Sequence, residues 1–567
     1  MDIYTQKFYQ FAFSFIKVLA LLFFFSLFAV NLIWTCYCTD MTSQEVLTKR
    51  DSLFLNAAII IVTLFLTWLL AKWIRKNPKL WKKCLLIALP FHVAFWGVIL
   101  VLFSKTVPAA DALSAYQCTE QIASGNLSSI APTGSYLSYY PQQIGLIALW
   151  EPLFRLMKLL PFEVRYYHLL KLLYVVMTYC IMHYLYKITH TLWKRDETDC
   201  FCLLFCALNA PLIMYSSFLY SEIPSLLLLF FSFYHLLLLL EWKTDTKVNP
   251  AGSESSRKRA GMPRLFLASL IGMTLAVLLR KNNLIFIIAA VIVLFFEWIR
   301  QKRKELFLSC VLTLVLSLSI LPCVIKLYEL RAGNTLKSGV PAMAYFAMGM
   351  QESTRAAGWY NGYNFNTYDE TGMDKEKTVA LSKKAISDRC SYFRNHPDYA
   401  VSFYVEKFLS QWADGTYASR QATLATYGGR TAFFQEVYDG KYSKCFISYC
   451  NAYQLLLYFG ALCFGIFTFP FFGRRKSHAK TGQPLFLFQY LLFIGAFGGF
   501  LFHMIWEANS RYVLPYWLCL FPYCVYGLTL FIPFLSKFSF FPHIEKREIP
   551  QAAETDTEAE RRVPKTK

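Results

Sequence analysis

The sequence predicts an all-α integral membrane protein of about twelve transmembrane helices, with an amphipathic helix in an outward loop and a small helical cap outside the membrane. Three observations predict it. Apolar runs close to the length a bilayer requires recur along the chain, which has 56% hydrophobic and 18% aromatic residues and a mean hydropathy of +0.37. Lys and Arg gather in the short segments between those runs, the pattern that faces anionic lipid on the cytoplasmic side. One long segment, 329–443, breaks the apolar rhythm and mixes aromatic with polar residues. The net charge of +21 is therefore a membrane-topology signal, and nucleic acid is not an expected partner.

The runs fall at 11–35, 53–71, 84–104, 166–189, 200–220, 223–241, 265–280, 284–299, 306–328, 446–472, 484–506 and 513–535. A thirteenth stretch, 144–160, carries Glu151, Arg155 and Lys158 at helical spacing and reads as a helix lying in the interface. Charge decides that assignment. With the N-terminus inside and twelve crossings, the basic segments Lys72–Lys83, Lys194–Arg195, Lys243–Arg264, Arg300–Lys304 and Arg474–Lys480 are all cytoplasmic. A crossing by 144–160 would turn the later ones outward.

The organisation follows. Residues 1–328 form a membrane domain whose first long outer loop is 105–165. Residues 329–443 form an extracytoplasmic cap, 444–535 the last three membrane helices and 536–567 a charged cytoplasmic tail. In the cap, Tyr399, Phe403, Tyr404, Lys407, Phe408 and Trp412 share one helical face. The loop 241–264 and the tail from about 545 are hydrophilic enough to be disordered. Sixteen cysteines lie scattered without metal-ligand spacing and read as packing residues, with a Cys118–Cys390 disulfide as the one outward pairing to consider. The first apolar run is too long for a cleavable signal peptide and no small-residue cleavage site follows it. No Walker, Rossmann or metalloprotease motif is present. The sequon at Asn126 is read as incidental, and His92 and His183 as core residues.

Five short motifs, in this order, carry a resemblance. Asp111 stands in the first long outward loop. YYPQQIG opens the surface helix, and LYSEIP holds a second outward acid, Glu222. Arg280-Lys281-Asn282-Asn283 sits at an outer helix end, and WEANSRY precedes the last helix. Together they are similar to the GT-C superfamily of membrane glycosyltransferases, and within it to the protein O-mannosyltransferase and aminoarabinose-transferase branch, which uses polyprenyl-phosphate sugars. Two departures stand out: two helices precede the one leading into the acidic loop, and Asp111 lacks an adjacent second acid.

The resemblance implies a GT-C-like fold and roles for particular residues. Asp111 is the expected general base, worth roughly 10²–10⁴-fold in rate; the alternative is a helix cap. Glu222 is the second catalytic acid, or else a charge favourable to a helix N-terminus. Arg280, Lys281 and Arg511 are expected to hold the lipid-linked phosphate; otherwise the first two snorkel to the interface. Glu507 and Arg511 could instead form an i,i+4 pair on one charged helical face with His503. Tyr140, Gln142 and Gln143 are candidates for positioning sugar or acceptor hydroxyls, or, for the tyrosine, an interfacial belt residue. No cofactor is expected and a metal is not implied. The expected partners are a polyprenyl-phosphate-linked sugar, a cell-envelope acceptor and membrane lipid. No organelle signal or endoplasmic-reticulum retrieval motif is seen, which makes a multi-pass protein of the bacterial plasma membrane, with an extracytoplasmic site, the default. A lipid-linked sugar flippase, or a polysaccharide polymerase or ligase, are the rival functions.

Overall fold

The computed structural model describes residues 3–39, 44–103, 107–160, 166–242, 253–423, 431–469 and 485–535. Among them, eleven helices are long and apolar enough to cross a membrane. They are α1 (Ile3–Ile33), α2 (Leu53–Lys76), α3 (Pro78–Phe103), α4 (Tyr166–Trp193), α5 (Glu222–Glu241), α6 (Ser253–Leu279), α7 (Leu284–Gln301), α8 (Lys304–Ala332), α9 (Ser443–Thr468), α10 (Leu491–Ile505) and α11 (Ser510–Leu535). The chain is a multi-pass membrane protein, and its described residues are all-α except for a hairpin of β1 (Trp34–Cys38) and β2 (Val46–Arg50) joining α1 to α2.

Burial sorts the helices into a core and a rim. α11 is buried along most of its length, with Trp517 and Tyr523 at 1% and 0% exposure, whereas α2 and α3 present Phe54 (86%) and Phe91 (73%) outward. Because lipid is as apolar as leucine, the central helices associate through close packing. At the α9–α11 crossing a Cβ on Gly527 would stand 1.8 Å from the Gly460 carbonyl oxygen, so only glycine admits that approach.

The fifth predicted span, 200–220, is the main correction. It forms two short helices, Asp196–Ala207 and Ala210–Tyr215, and then runs irregularly to Ser221. Asn209 accepts a hydrogen bond from the Leu212 amide (3.1 Å), capping the second piece, and Pro211 brings no amide to continue the first. The carbonyls released at the break find donors: His92 for Ala207 (2.9 Å), the Tyr449 hydroxyl for Leu208 and the Tyr453 hydroxyl for Phe205 (2.7 Å). At membrane depth such donors are what makes interrupted backbone tolerable. The broken segment still runs between the two ends of the bundle. One end is tied by the ion pairs Arg75–Glu197 and Lys82–Asp196, and the other reaches Glu222 beside Arg280.

Three smaller expectations also shift. The 144–160 stretch is helical over Ile144–Met157, but Glu151 is buried and not spread on an interface. It pairs with Arg331 (2.7 Å) and Arg155 (2.8 Å) and accepts from the Tyr328 hydroxyl (2.5 Å), which docks this helix on the end of α8. The loop expected to be disordered over 241–264 is helical from Ser253; residues 243–252, like 470–484 and the tail 536–567, lie outside the described residues. Cys118 and Cys390 are free thiols, one buried and one exposed.

The segment 329–443 is helical where described, with helices Ala342–Gly349, Tyr363–Glu370, Lys375–Asn395, Pro397–Trp412, Ser419–Ala422 and Ala432–Tyr438. It joins the hairpin and the α10–α11 corner: Cys36 N donates to Ala413 O (2.9 Å), Val46 N to Arg355 O (3.0 Å) and Ala508 N to Gly358 O (2.8 Å). This cap closes over the end of the bundle where the candidate site lies.

Candidate active site

Asp111 stands in the first turn of a helix, Ala110–Ala123, that leaves the end of α3 through Val107-Pro108-Ala109. The N-cap is Ala109 and no side chain caps the helix, so Asp111 does not serve as a cap. The preceding Ala110 has φ +48°, a left-handed conformation costly for a residue with a Cβ and held here by its surroundings. The Asp111 carboxylate is open to cavity space and, among the described residues, receives no hydrogen bond. It nevertheless lies deep among protein atoms. Desolvation raises its pKa above the usual aspartate value, with Arg511 opposing the shift and Glu222 reinforcing it.

Two arginines meet beside it. Arg280 follows α6 and leads into a 3₁₀ turn, Lys281–Asn283, while Arg511 is the second residue of α11. Between them sits Glu222, the first residue of α5, its side chain fully buried. Its Oε1 is 2.7 Å from Arg280 Nη1 and 3.5 Å from Arg511 Nε. Rings complete the setting: Tyr512 lies under both guanidiniums (5.7 and 5.2 Å), and Phe218 under Arg511 (5.6 Å). Glu222 lines neither cavity described below; it stands behind the arginines and fixes them. Lys281 is exposed and has no acidic partner among the described residues, so its ammonium is left free at the smaller cavity described below.

The motif WEANSRY is not one helical face. α10 ends at Ile505 and α11 begins at Ser510, so Glu507 lies in the corner between them and forms no i,i+4 pair with Arg511. Its carboxylate accepts from the Tyr512 hydroxyl (3.1 Å). Burial pushes it up to about 7, against the pull of Tyr512 and Arg511 and with a push from Asp111. His503 is behind the corner: its Nδ1 donates to the Glu507 carbonyl (2.9 Å), its ring stacks on Tyr512 (5.4 Å), and it touches neither cavity. A buried lysine from the cap, Lys407, holds the same corner. Its ammonium donates to Trp506 O (2.8 Å) and to Gly349 O, where the backbone passes so close that a Cβ on Gly349 would lie 2.4 Å from the Trp506 carbonyl carbon.

Tyr140, Gln142 and Gln143 come from the turn before the Ile144–Met157 helix. Gln143 Nε2 donates to the Tyr220 hydroxyl, which binds this turn to the irregular end of the broken span. Val340 N donates to Tyr139 O (3.0 Å), pinning the cap to the same turn.

These groups line two adjoining cavities. The larger, about 680 Å³, reaches from Asp111 towards Gln44 of the hairpin, Arg355, Gln421 and Asp439. The smaller, about 390 Å³, holds Gln142, Gln143, Arg280, Lys281, Asn282, Tyr345 and Asn364. Asp111, Tyr140, Tyr220, Tyr360, Glu507, Arg511 and Tyr512 belong to both and form the boundary. One chamber is rich in cations, the other mixed in charge, and an unengaged carboxylate stands where they meet. Among the described residues no group of three or more His, Cys, Asp or Glu side chains is placed to hold a metal ion.

Sequence reasoning missed several residues. Tyr220 and Tyr512 sat inside quoted motifs without being chosen. Arg355, Tyr360 and Asn364 belong to the cap, where no periodicity or spacing marks a residue as facing a cavity rather than solvent.

No protein-family model matches the chain, and no curated protein matches it. Among solved structures it is similar to the archaeal oligosaccharyltransferase AglB from Archaeoglobus fulgidus, solved in complex with an inhibitory peptide and a dolichol-phosphate. The two share 15% identity at a TM-score of 0.42, over 82% of this chain and 51% of that one. The chain thus spans about half the length of that protein.

Proposed function

We propose that this protein is an inverting membrane glycosyltransferase of GT-C type that moves a sugar from a polyprenyl-phosphate carrier to a cell-envelope acceptor at the outer face of the membrane. The reading follows the protein O-mannosyltransferase and aminoarabinose-transferase branch. The observation that carries it is the junction itself: one carboxylate that accepts no hydrogen bond among the described residues, beside Arg511, Arg280 and Lys281, where two cavities meet at one end of a membrane bundle.

The smaller, cation-rich chamber takes the carrier phosphate. Arginine offers paired N–H donors to phosphate oxygens, and the guanidiniums are already oriented by Glu222 and Tyr512, so little ordering is left to do on binding. The acceptor enters from the larger chamber. Its hydroxyl oxygen attacks the anomeric carbon and its proton passes to Asp111. The bond from that carbon to the phosphate oxygen breaks on the opposite face, leaving polyprenyl phosphate with the added negative charge held by Arg280, Lys281 and Arg511. Attack and departure on opposite faces invert the anomeric configuration. Asp111 is the base rather than Glu507 because the latter already accepts from Tyr512. Glu222 acts through the arginines it fixes. The carrier's prenyl chain gives the membrane embedding its purpose, at about 0.8 kcal/mol per methylene kept in lipid. No resident cofactor is required, since the guanidiniums supply the positive charge a metal would otherwise bring.

The test is transfer from radiolabelled polyprenyl-phosphate sugars into envelope extracts by purified protein, wild type against Asp111→Asn. Transfer that collapses in the variant supports the reading. Transfer that persists removes Asp111 as base, and lipid movement without any transfer favours a flippase.

A further inference from the structure

The cap places one unusual group in the smaller chamber. Asn364, on the helix Tyr363–Glu370, is 1% exposed and lines that cavity, yet its buried side-chain carbonyl oxygen accepts no hydrogen bond among the described residues. A buried carbonyl oxygen left without a donor costs about 1–3 kcal/mol, so native proteins keep one only where something else completes it. Asn282 lines the same chamber from the turn after α6, beside Arg280 and Lys281. The ring of Tyr345, stacked on Trp506 (5.4 Å), forms part of the wall between cap and bundle. A phosphate needs only donors and is served by the cations. An amide that both donates and accepts matches a different chemistry, that of a hydroxyl or acetamido group.

We infer that Asn364 is a specificity-determining residue that reads a hydroxyl or acetamido group of the carrier-linked sugar, so that the cap, and not the membrane bundle, selects which sugar is transferred. This rests on the proposed glycosyltransferase reading, and the two separate in one binding experiment. The probes are farnesyl phosphate, which has no sugar, and farnesyl-phosphoryl glucose, mannose, N-acetylglucosamine and 4-amino-4-deoxyarabinose. Each is titrated calorimetrically into purified full-length protein, comparing wild type with Asn364→Leu and Arg511→Gln. At least one sugar-bearing probe is expected to bind wild type more tightly than farnesyl phosphate does. Asn364→Leu should weaken that probe about tenfold, the worth of one hydrogen bond with an unpaired buried group, and move farnesyl phosphate less than twofold. A monodeoxy analogue lacking the group read by Asn364 should bind wild type and Asn364→Leu alike. Arg511→Gln should weaken all probes together.

Equal loss for sugar-bearing and bare probes in Asn364→Leu makes the residue structural and overturns the inference, as does no sugar-bearing probe exceeding farnesyl phosphate in wild type. Failure of farnesyl phosphate itself to bind wild type overturns the underlying enzymatic reading instead.

Discussion

At the scale of single residues, the site separates a carboxylate left open to the cavities from charges that hold geometry. Among the described residues Asp111 accepts no hydrogen bond, so removing its negative charge should leave packing intact. Asp111→Asn should lower transfer by roughly 10²–10⁴-fold with an unchanged melting temperature. Glu222 is the opposite case: Glu222→Gln removes the fully buried anion between two partly buried arginines, a loss of up to about 3–5 kcal/mol for a broken buried pair. Thermal melting in detergent should show it as a clear fall in stability. Glu507 has a pH consequence. Its folded-state pKa of about 7 lies above its unfolded value, so the folded state holds the extra proton between the two. Stability is greatest below the unfolded value, falls as pH rises to about 7 and is flat above. Glu507→Gln should remove that slope, which melts across pH 4–8 would reveal.

At the scale of elements, the corner between α10 and α11 depends on the cap. Lys407 reaches Trp506 O and Gly349 O from the helix Pro397–Trp412. Burial lowers its pKa to about 7, from an unfolded value near 10.5. Here the unfolded state holds the extra proton, so stability from this group rises with pH between those values, a window above that of Glu507. Lys407→Met keeps the stem but strips both donors, and should cost about 2–4 kcal/mol while reducing transfer by displacing Glu507. Melting and transfer assays on the same preparation check both. The elements were also where the sequence was most and least legible. Long apolar runs announced eleven spanning helices because lipid enforces length and composition together. The 200–220 run matched on composition alone. Its break was written in Asn209 and Pro211, whose effect is local, and in the distant donors His92, Tyr449 and Tyr453, which no window around the run contains. The α10–α11 corner failed for a related reason: spacing in WEANSRY suggested helix, and tertiary contacts with Lys407 and Gly358 decided otherwise.

At the scale of the whole molecule, the basic residues Arg75 and Lys82 and the candidate site occupy opposite ends of the bundle, as Lys82–Asp196 at one end and Arg280–Glu222 at the other mark out. The proposed orientation, with Arg75 and Lys82 at the cytoplasmic end, turns the cap outward. Cys390 is an exposed thiol in the cap, so an impermeant maleimide applied to intact cells should modify it, as peptide mass spectrometry would detect. Modification only after the cells are opened would reverse the orientation. Charge bias makes the site's end of the bundle readable, because Arg280 and Lys281 stand out against a trend that excludes cations there. What stayed hidden was the cap's contribution. Asn364 and Arg355 gain meaning only from a cavity that forms when residues some two hundred positions apart close on one another.

The interrupted span has a consequence for how such a protein diversifies. Its loose ends are tied off by side chains on neighbouring helices, so the six residues from Ser216 to Ser221 are relieved of any duty to continue a helix. So long as Phe218 stays under Arg511 and Tyr220 against Gln143, the residues around them can change character and remodel the wall of the larger cavity without disturbing a helix.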